Sequence, residues 1–277
     1  MAQELFESWW WWPAGIHDHR GVGGATLQPF FRRTLMLHFP IVYINLAKDS
    51  ERRRRMQAQS EAMGLDVQRR EAVWWDDLSQ AEQERYYSAH LNDRQYFKPL
   101  ARGEKGCYGS HLRAWEELRA SGAPAMVVFE DDVRFLPGLP SALAAIEKLP
   151  ADWDMIKLYG RAVEKKQQEQ ALTDGLSLIR YRRVPSFCAG YVVSRRGAEK
   201  LLASRVPFGR PVDVDLRFWF ENDLRIYGVA PSVIALDDTS ETSSIWDVRD
   251  RLTAGQKWRK FRMKLELSVR NALARQA

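Results

Sequence analysis

Short apolar runs along this chain alternate with longer polar segments that carry apolar residues at helical spacing. Residues 41–46, 126–129 and 187–194 are such runs, and their length and β-branched content predict buried strands. The segment 110–121 instead repeats its apolar residues with the period of an amphipathic helix. Strands alternating with helices predict an α/β fold, with a mainly parallel twisted sheet flanked by helices.

The first ordered elements are predicted to form a β-α-β unit. The strand at 41–46 is followed by Asp49 and Ser50, either of which can cap a helix, and Gly64 marks the end of that helix. A second strand is expected within residues 65–73. Such a unit implies a right-handed crossover between two parallel strands.

One domain is predicted between two segments of different composition. Residues 1–35 hold four consecutive tryptophans and a glycine-rich patch without a regular period, which predicts an extension outside the fold; translation from Met36 is a second interpretation. Residues 36–248 contain no interdomain linker, and residues 249–277 are predicted to form a basic amphipathic helix. The polar segment 161–175 is expected to be a mobile loop, a usual place for a substrate lid.

Composition and charge narrow the class of protein. The 277 residues include two cysteines, Cys107 and Cys188, which give no disulfide framework and suit a reducing compartment. No apolar run approaches the roughly 20 residues that span a bilayer, and no secretory signal is recognisable, so a cytoplasmic protein is expected. The net charge is +6, of which the residues from Arg249 onward contribute +7 and the remainder −1. A basic tail on a neutral body gives little support to a nucleic-acid partner.

Three consecutive carboxylates, Glu130, Asp131 and Asp132, follow the strand at 126–129. In open α/β sheets the ligand crevice lies outside the carboxyl ends of strands. Like charges at this place repel and lose hydration, and a divalent cation would relieve that cost. We therefore expect Mg²⁺ or Mn²⁺ here, held by Glu130 and Asp132 on one side of the extended chain, with Asp131 on the other. A solvated turn is the alternative.

Two other segments offer groups for an anion. Ser110 is predicted to cap the helix at 110–121, which would place His111 at a helix start that favours anions. A histidine alone is more often structural than catalytic, so a structural role for His111 is the alternative. In the arginine run 52–55, Arg52 is near a helix start and could meet phosphate oxygens, whereas a solvated face accounts for most of the run.

The C-terminal segment combines an apolar stripe with basic flanks. The stripe consists of Trp258, Phe261, Leu265, Val269 and Ala272. Lysines and arginines beside such a stripe are typical of helices that lie on anionic lipid, so a peripheral location on the inner face of the cytoplasmic membrane is one expectation. The other is a helix that docks on the sheet through the same stripe.

Several blocks taken together resemble glycosyltransferase family 25, which includes bacterial lipooligosaccharide glycosyltransferases and is related to collagen galactosyltransferase domains. The blocks are INLAKDSERR, GEKGCYGSH, VVFEDDV, WDMIKLYG, AGYVVSRRGAEKLL and PVDVDL, in the order of the family. They cover roughly residues 41–236, and the ordered set is far more specific than the acidic tripeptide alone.

The resemblance implies a GT-A-like fold and an inverting, metal-dependent transfer of a sugar, with galactose favoured. The donor would be a nucleotide sugar such as a UDP-sugar, and the acceptor a hydroxyl of a glycan or glycolipid such as the lipopolysaccharide core. Asn45 and Leu46 fall where the family receives the nucleotide base. Asp131, on the opposite side of the extended chain from Glu130 and Asp132, would face either the donor's ribose or the helix start at Ser110. An inverting transfer needs a carboxylate to accept the acceptor's proton, for which Asp213 is the first candidate and Asp215 the second. Asp213 could instead only cap the helix that follows.

Two other functions remain open at this point. A glycoside hydrolase also uses two carboxylates, although it needs neither a cation nor a diphosphate site. A non-enzymatic basic adaptor for membrane or nucleic acid would depend on the tail alone. A glycosyltransferase accounts for more of the chain than either.

Overall fold

The computed structural model describes residues 37–160, 164–237 and 252–274. The prediction about residues 1–35 therefore lies outside the described residues. The strands are β1 Ile41–Asn45, β2 Val67–Glu71, β3 Ala125–Glu130, β4 Val133–Phe135, β5 Met155–Lys157, β6 Lys166–Thr173, β7 Leu176–Tyr181, β8 Gly190–Ser194, β9 Ile226–Ala230 and β10 Ile234–Leu236. The helices are α1 Ser50–Met63, α2 Gln80–Tyr86, α3 Ala89–Gln95, α4 Arg102–Ser121, α5 Leu139–Ile146, α6 Arg195–Ser204, α7 Val212–Asp215 and α8 Ala254–Leu273.

Within the described ranges, eight strands form one sheet in the order β2-β1-β3-β8-β5-β9-β7-β6, and β4 pairs with β10 apart from it. β1 is parallel to β2 and β3, and β5 is parallel to β9. β8 and β7 run against their neighbours, so six of the eight strands share one direction. The prediction of a mainly parallel sheet between helices is confirmed for strand direction, but the two reversed strands make the pairing mixed.

The sheet is buried on both faces near its centre. In β1, Val42 and Ile44 face one apolar cluster, which includes residues of α4 and α6, whereas Tyr43 faces a second cluster with residues of α1 and α5. Val128 and Phe129 of β3 divide in the same way. Successive side chains of a strand point to opposite faces, so a strand covered on both sides needs an unbroken apolar run. This is why IVYI in β1 and AMVVF in β3 are apolar throughout.

The β-α-β opening is confirmed in position and direction. α1 spans Ser50–Met63, and Gly64 adopts a left-handed conformation with φ of 64° that ends the helix. A residue with a Cβ is disfavoured in that conformation, which explains the glycine at this stop.

Two predicted features are wrong. α4 begins at Arg102, eight residues before Ser110, so Ser110 is an internal residue of this helix and not its cap. The expected mobile loop at 161–175 contains β6, which pairs antiparallel with β7 at the edge of the sheet. Its polar, exposed side chains suit an edge strand as well as a loop, so composition alone did not separate the two.

α8 packs on the body of the protein through a narrow face. Met263 and Leu267 are buried, and Asn271 accepts a hydrogen bond from Trp219 Nε1 at 3.0 Å. The predicted stripe is on the other side of the helix, where Trp258 and Phe261 are exposed. Docking through that stripe was therefore a wrong expectation: the helix does dock, by a different face. No helix in the described ranges has the length and apolar character that crossing a bilayer requires.

Candidate active site

The carboxyl ends of three parallel strands meet at one cavity of about 370 Å³. Asn45 ends β1, Glu130 ends β3, and Ala72–Trp74 follow β2. All three segments line the cavity, together with part of α4. The size is within the range of roughly 300–1,000 Å³ found for ligand pockets. The expectation of a crevice at the strand ends, drawn from sequence, therefore has a counterpart in the fold.

Asp131 is held by two neighbours. Its Oδ2 accepts a hydrogen bond from Asn45 Nδ2 at 2.6 Å, and its Oδ1 accepts one from Arg52 Nη1 at 2.9 Å. Asn45 is itself fixed by Arg69, whose Nε donates to Asn45 Oδ1 at 2.9 Å. These contacts join β1, α1 and the turn after β3. Leu46 and Arg52 also line the cavity, so the structure brings these sequence-predicted residues to one place, and their role in donor binding stays a prediction.

Asp132 differs from Asp131 in having an unpaired oxygen. Its Oδ1 is buried and has no hydrogen-bond partner among the described residues. Burial, together with the negative charge of Glu130, raises the pKa of Asp132 to about 7. A divalent cation would remove both costs, because it would pair with the orphaned oxygen and offset the repulsion. The residues present therefore fit a cation at this position.

The three carboxylates line one cavity but contact different elements of the fold. Glu130, Asp131 and Asp132 all line the same cavity. The chain turns directly after Glu130, so the two-residue alternation of an extended strand stops there. Glu130 faces α4, whereas Asp131 faces β1 and α1 through its hydrogen bonds.

A second group of metal-type ligands was missed from sequence. Cys107 Sγ, His111 and Glu130 offer donor atoms that all lie within 4.8 Å of one another. His111 Nε2 is 3.4 Å from Glu130 Oε1, and its Nδ1 is 2.8 Å from the hydroxyl of Tyr191. Burial raises the pKa of the Cys107 thiol to about 12. The signal that could have found it is the spacing of four between Cys107 and His111, which places both on one helix face.

Ser110 has a structural contact in place of the predicted capping role. Its Oγ accepts a hydrogen bond from Val73 N and donates one to Gly106 O, both at 2.8 Å. Gly106 allows this approach, since a Cβ there would be only 2.6 Å from Val73 O. Together these residues fix α4 against the segment that follows β2. His111 is consequently within the helix, and no anion-binding helix start exists at this point.

Trp74 is a further cavity residue that sequence reasoning did not select. Its ring is 46% exposed, and Lys48 Nζ lies 4.5 Å from the ring centroid. An exposed aromatic ring at the mouth of a cavity offers a stacking face for a planar ligand group. Its position just after a predicted strand was the available signal.

Asp213 is inside a helix and not at its cap. α7 spans Val212–Asp215 and Pro211 occupies the cap position, so the capping interpretation of Asp213 is wrong. Burial raises the pKa of Asp213, and the charge of Glu130 raises it further, whereas the positive charge of Lys157 lowers it. Asp213 lies outside the cavity lining described above, but close enough to Glu130 for the two carboxylates to interact.

Asp215 is enclosed by positive charge. Its Oδ1 is 2.8 Å from Arg210 Nε, its Oδ2 is 3.5 Å from Arg205 Nε, and Tyr108 donates a 2.5 Å hydrogen bond to Oδ2. All four residues are buried. Because its carboxylate oxygens already contact buried arginine and tyrosine side chains, Asp215 is poorly placed to meet an acceptor hydroxyl, which argues against the second predicted base.

Comparison with known proteins finds relatives with glycosyltransferase names, among them the following three. Procollagen galactosyltransferase 2 of Mus musculus is 28% identical over 239 residues, covering 75% of this chain and 38% of the relative. A glycosyltransferase 25 family member of Anopheles gambiae is 30% identical over 194 residues, covering 66% and 32% respectively. A probable inactive glycosyltransferase 25 family member 3 of Bos taurus is 35% identical over 181 residues, covering 54% and 29%.

The matched region thus corresponds to less than two fifths of the length of each of these relatives. The profile of the family described as "Glycosyltransferase family 25 (LPS biosynthesis protein)" matches residues 38–216. That range is more than half of the sequence and contains the whole strand-end cavity. The match confirms the family resemblance inferred from the motifs: the chain belongs to glycosyltransferase family 25.

Proposed function

We propose that this protein transfers a hexose, galactose in first place, from a nucleotide-diphosphate sugar to a hydroxyl of a glycan or glycolipid such as the lipopolysaccharide core. The observation that carries the proposal is the joint lining of one strand-end cavity by Asn45, Trp74 and the acids Glu130–Asp132. The named galactosyltransferases among the relatives support the choice of sugar. The fold is proposed to be of the GT-A type.

The donor's nucleoside is assigned to the side of the cavity near β1 and β2. Trp74 offers a ring face for the base, while Asn45 and Leu46 lie at the end of β1. The diphosphate would extend toward Arg52, whose guanidinium can pair with phosphate oxygens. Asp131 keeps Arg52 and Asn45 in place through its two hydrogen bonds. In this assignment Asp131 positions the donor site, whereas the sequence had suggested direct contact with the ribose.

Mn²⁺ or Mg²⁺ is assigned to Glu130 and Asp132, the hard oxygen ligands that these ions prefer. When bound, such an ion neutralises charge on the departing diphosphate. The unpaired Oδ1 of Asp132 supports this assignment. Cys107 and His111 give Glu130 a second, softer set of neighbours, which would favour Zn²⁺ or Co²⁺ over Mg²⁺. We retain the carboxylate pair as the site of the resident ion and treat the softer set as the competing arrangement.

Asp213 is assigned as the base. In an inverting displacement the acceptor oxygen forms a bond to the anomeric carbon while the bond from that carbon to the diphosphate breaks. The proton of the acceptor hydroxyl passes to the Asp213 carboxylate, which needs an elevated pKa to accept it well. Burial provides that elevation. Asp215 is set aside because of its two arginine partners.

Activity is part of the proposal, because family membership alone does not decide it: one of the relatives is described as probably inactive. The test is a screen of nucleotide sugars with the full chain, measuring release of the nucleoside diphosphate with and without EDTA and with added glycan acceptors. We expect one UDP-hexose, with UDP-galactose first, to be turned over only when a divalent ion is present.

Turnover of no nucleotide sugar under any of these conditions would overturn the proposal. Metal-independent cleavage of a glycoside, with no use of a nucleotide sugar, would instead support a glycoside hydrolase.

A further inference from the structure

The exposed face of α8 carries most of the exposed large hydrophobic side chains in the described part of the chain. Among all the described residues, six large hydrophobic side chains are exposed. Five of them belong to α8: Trp258, Phe261, Leu265, Val269 and Leu273. They are between 47% and 78% exposed. Their spacing of three and four residues puts them on one side of the helix, and we call this set the exposed stripe.

The exposed stripe is not needed to attach α8 to the protein. Met263 and Leu267, on the opposite side, make the buried contact. Polar contacts flank it: Arg259 pairs with Asp93, Arg262 Nη2 donates to Arg94 O at 3.3 Å, and Asn271 bonds Trp219. The helix therefore has two faces, one that holds it to the body and one that remains open. Contiguous exposed apolar surface of this kind marks a site of interaction.

Charge indicates what the exposed stripe meets. Between Ala254 and Leu273 there are six basic residues, Lys257, Arg259, Lys260, Arg262, Lys264 and Arg270, against one acidic residue, Glu266. Lys257, Arg262, Lys264 and Arg270 are exposed. A second copy of the same face would bring these like charges together, whereas an anionic surface would neutralise them. Trp258 stacked beside Phe261, with centroids 5.7 Å apart, suits the boundary between lipid head groups and acyl chains.

We infer that α8 is docked on the protein through Met263 and Leu267 and binds an anionic lipid bilayer through the exposed stripe and its basic flanks. The stripe enters the head-group region with the helix axis in the plane of the membrane. The basic residues contact the lipid phosphates at the same depth. This inference concerns a partner of the protein and does not depend on its catalytic activity.

The test measures co-sedimentation of the full chain with vesicles of phosphatidylglycerol and phosphatidylcholine, and with vesicles of phosphatidylcholine alone. We expect binding to the anionic vesicles that weakens with added salt, and at least tenfold weaker binding to the neutral ones. The double variant Trp258→Gln/Phe261→Gln should lower affinity for anionic vesicles at least tenfold. The double variant Lys257→Gln/Lys264→Gln should also weaken binding and reduce its salt dependence.

The matched control is Arg119→Gln/Lys148→Gln, which removes two exposed charges far from α8 in the sequence and should bind like the native chain. Denaturant unfolding of every variant checks the fold. Substitution is preferable to deletion of the helix, because deletion would also remove the buried Leu267.

Three results would overturn the inference. The first is a native chain that fails to bind anionic vesicles, and the second is a Trp258→Gln/Phe261→Gln variant that binds them with native affinity. Alternatively, the native chain could self-associate in sedimentation velocity while this variant is monomeric and lipid affinity is equal for both. That last result would assign the exposed stripe to a second copy of the chain.

Discussion

Asp131 joins the ends of two neighbouring strands by accepting a hydrogen bond from Asn45 Nδ2 at 2.6 Å. Its other carboxylate oxygen accepts a hydrogen bond from Arg52, which belongs to α1, the helix that follows β1. One side chain thus fixes the relative positions of β1, α1 and the acidic turn. The middle acid of the tripeptide is in this respect a structural member of the site.

Replacing Asp131 by Asn should therefore lower stability. The amide keeps the shape but exchanges one acceptor oxygen for a donor, which opposes either Asn45 or Arg52. We expect the free energy of unfolding to fall by about 1–3 kcal/mol, the cost of leaving a charged hydrogen-bonding group unsatisfied. Urea unfolding measures the change, and the exposed Asp66→Asn serves as control, with an expected effect within about 0.5 kcal/mol. Equal stability of the two variants would contradict this account of Asp131.

Asp132→Asn should act on catalysis. It removes a charge from the proposed cation position, and we expect transfer activity to fall by at least about 10²-fold, since charge stabilisation at a diphosphate contributes several kcal/mol. The free energy of unfolding should not fall, because burial and the negative charge of Glu130 already disfavour the ionised form of Asp132, which the variant removes. Isothermal titration with Mn²⁺ should show weakened binding. Full activity of the variant, or activity that EDTA leaves unchanged, would refute the assignment.

Cys107→Ser distinguishes the two cation arrangements. If the ion is held by Glu130 and Asp132, this variant should keep the native affinity for Mn²⁺. Titration with Co²⁺ provides a separate measurement, because a thiolate ligand gives near-ultraviolet charge-transfer absorption. We expect the native chain with Co²⁺ to show no thiolate band, so that the native chain and Cys107→Ser give the same near-ultraviolet spectrum. Appearance of that band in the native chain and its loss in the variant would place the ion at Cys107, His111 and Glu130.

Asp215→Asn should destabilise the fold strongly. It would leave Arg205 and Arg210 buried with less compensating charge, and removing one partner of a buried ion pair costs about 3–5 kcal/mol. Denaturant unfolding measures the loss against the native chain. A variant of native stability that has lost transfer would restore Asp215 as the base.

The central part of the fold could be predicted because its signals are local. The apolar runs of β1 and β3 are buried on both faces, and Gly64 ends α1 where a left-handed residue is needed. The start of α4 could not be placed, since Ser110 resembles a cap and only the close packing of Gly106 against Val73 shows that the helix begins earlier. The direction of β8 depends on long-range pairing with β3 and β5, which leaves no local mark. β6 and β7 instead form a local hairpin across Asp174 and Gly175, a turn signal that the loop interpretation of this segment passed over.

The candidate site likewise has residues that the sequence identified and residues that it missed. Asn45, Arg52 and the acids were found because the carboxyl ends of parallel strands converge. Cys107 and Trp74 were missed, as their contribution depends on how α4 and the segment after β2 approach the acids in space. The exposed side of α8 was identified by periodicity, but which side docks was decided by the complementary surface of the body.

Trp74→Ala should weaken binding of the donor. Stacking of a base on an aromatic ring contributes about 1–3 kcal/mol, so we expect the dissociation constant for the nucleoside diphosphate to rise by roughly 5- to 150-fold. Trp74→Phe, which keeps a stacking face, should lose much less. Equilibrium binding of UDP by both variants is the measurement. If Trp74→Ala binds UDP with native affinity, the base lies elsewhere in the cavity.

Asp213 offers the sharpest test of mechanism, because its pKa can be changed from a distance. Asp213→Asn cannot accept a proton, so it should fold normally, bind the nucleotide sugar with native affinity and lose most transfer. In the native chain the active form is the ionised carboxylate, and burial raises its pKa. The acid limb of kcat/KM should therefore lie above the ordinary aspartate value of about 4.

The positive charge of Lys157 opposes this elevation, so removing that charge should raise the pKa of Asp213 further. Lys157 has a pKa lowered to about 8 by burial, so it is cationic across the acid limb and lowers the pKa of Asp213 there. Lys157→Met removes that charge, and the acid limb should move to higher pH. Because Lys157 Nζ also donates to Pro185 O and Phe187 O at 2.7 Å, unfolding measurements must accompany the kinetics. A pH profile whose acid limb stays in place in a folded Lys157→Met protein would show that the base is another group.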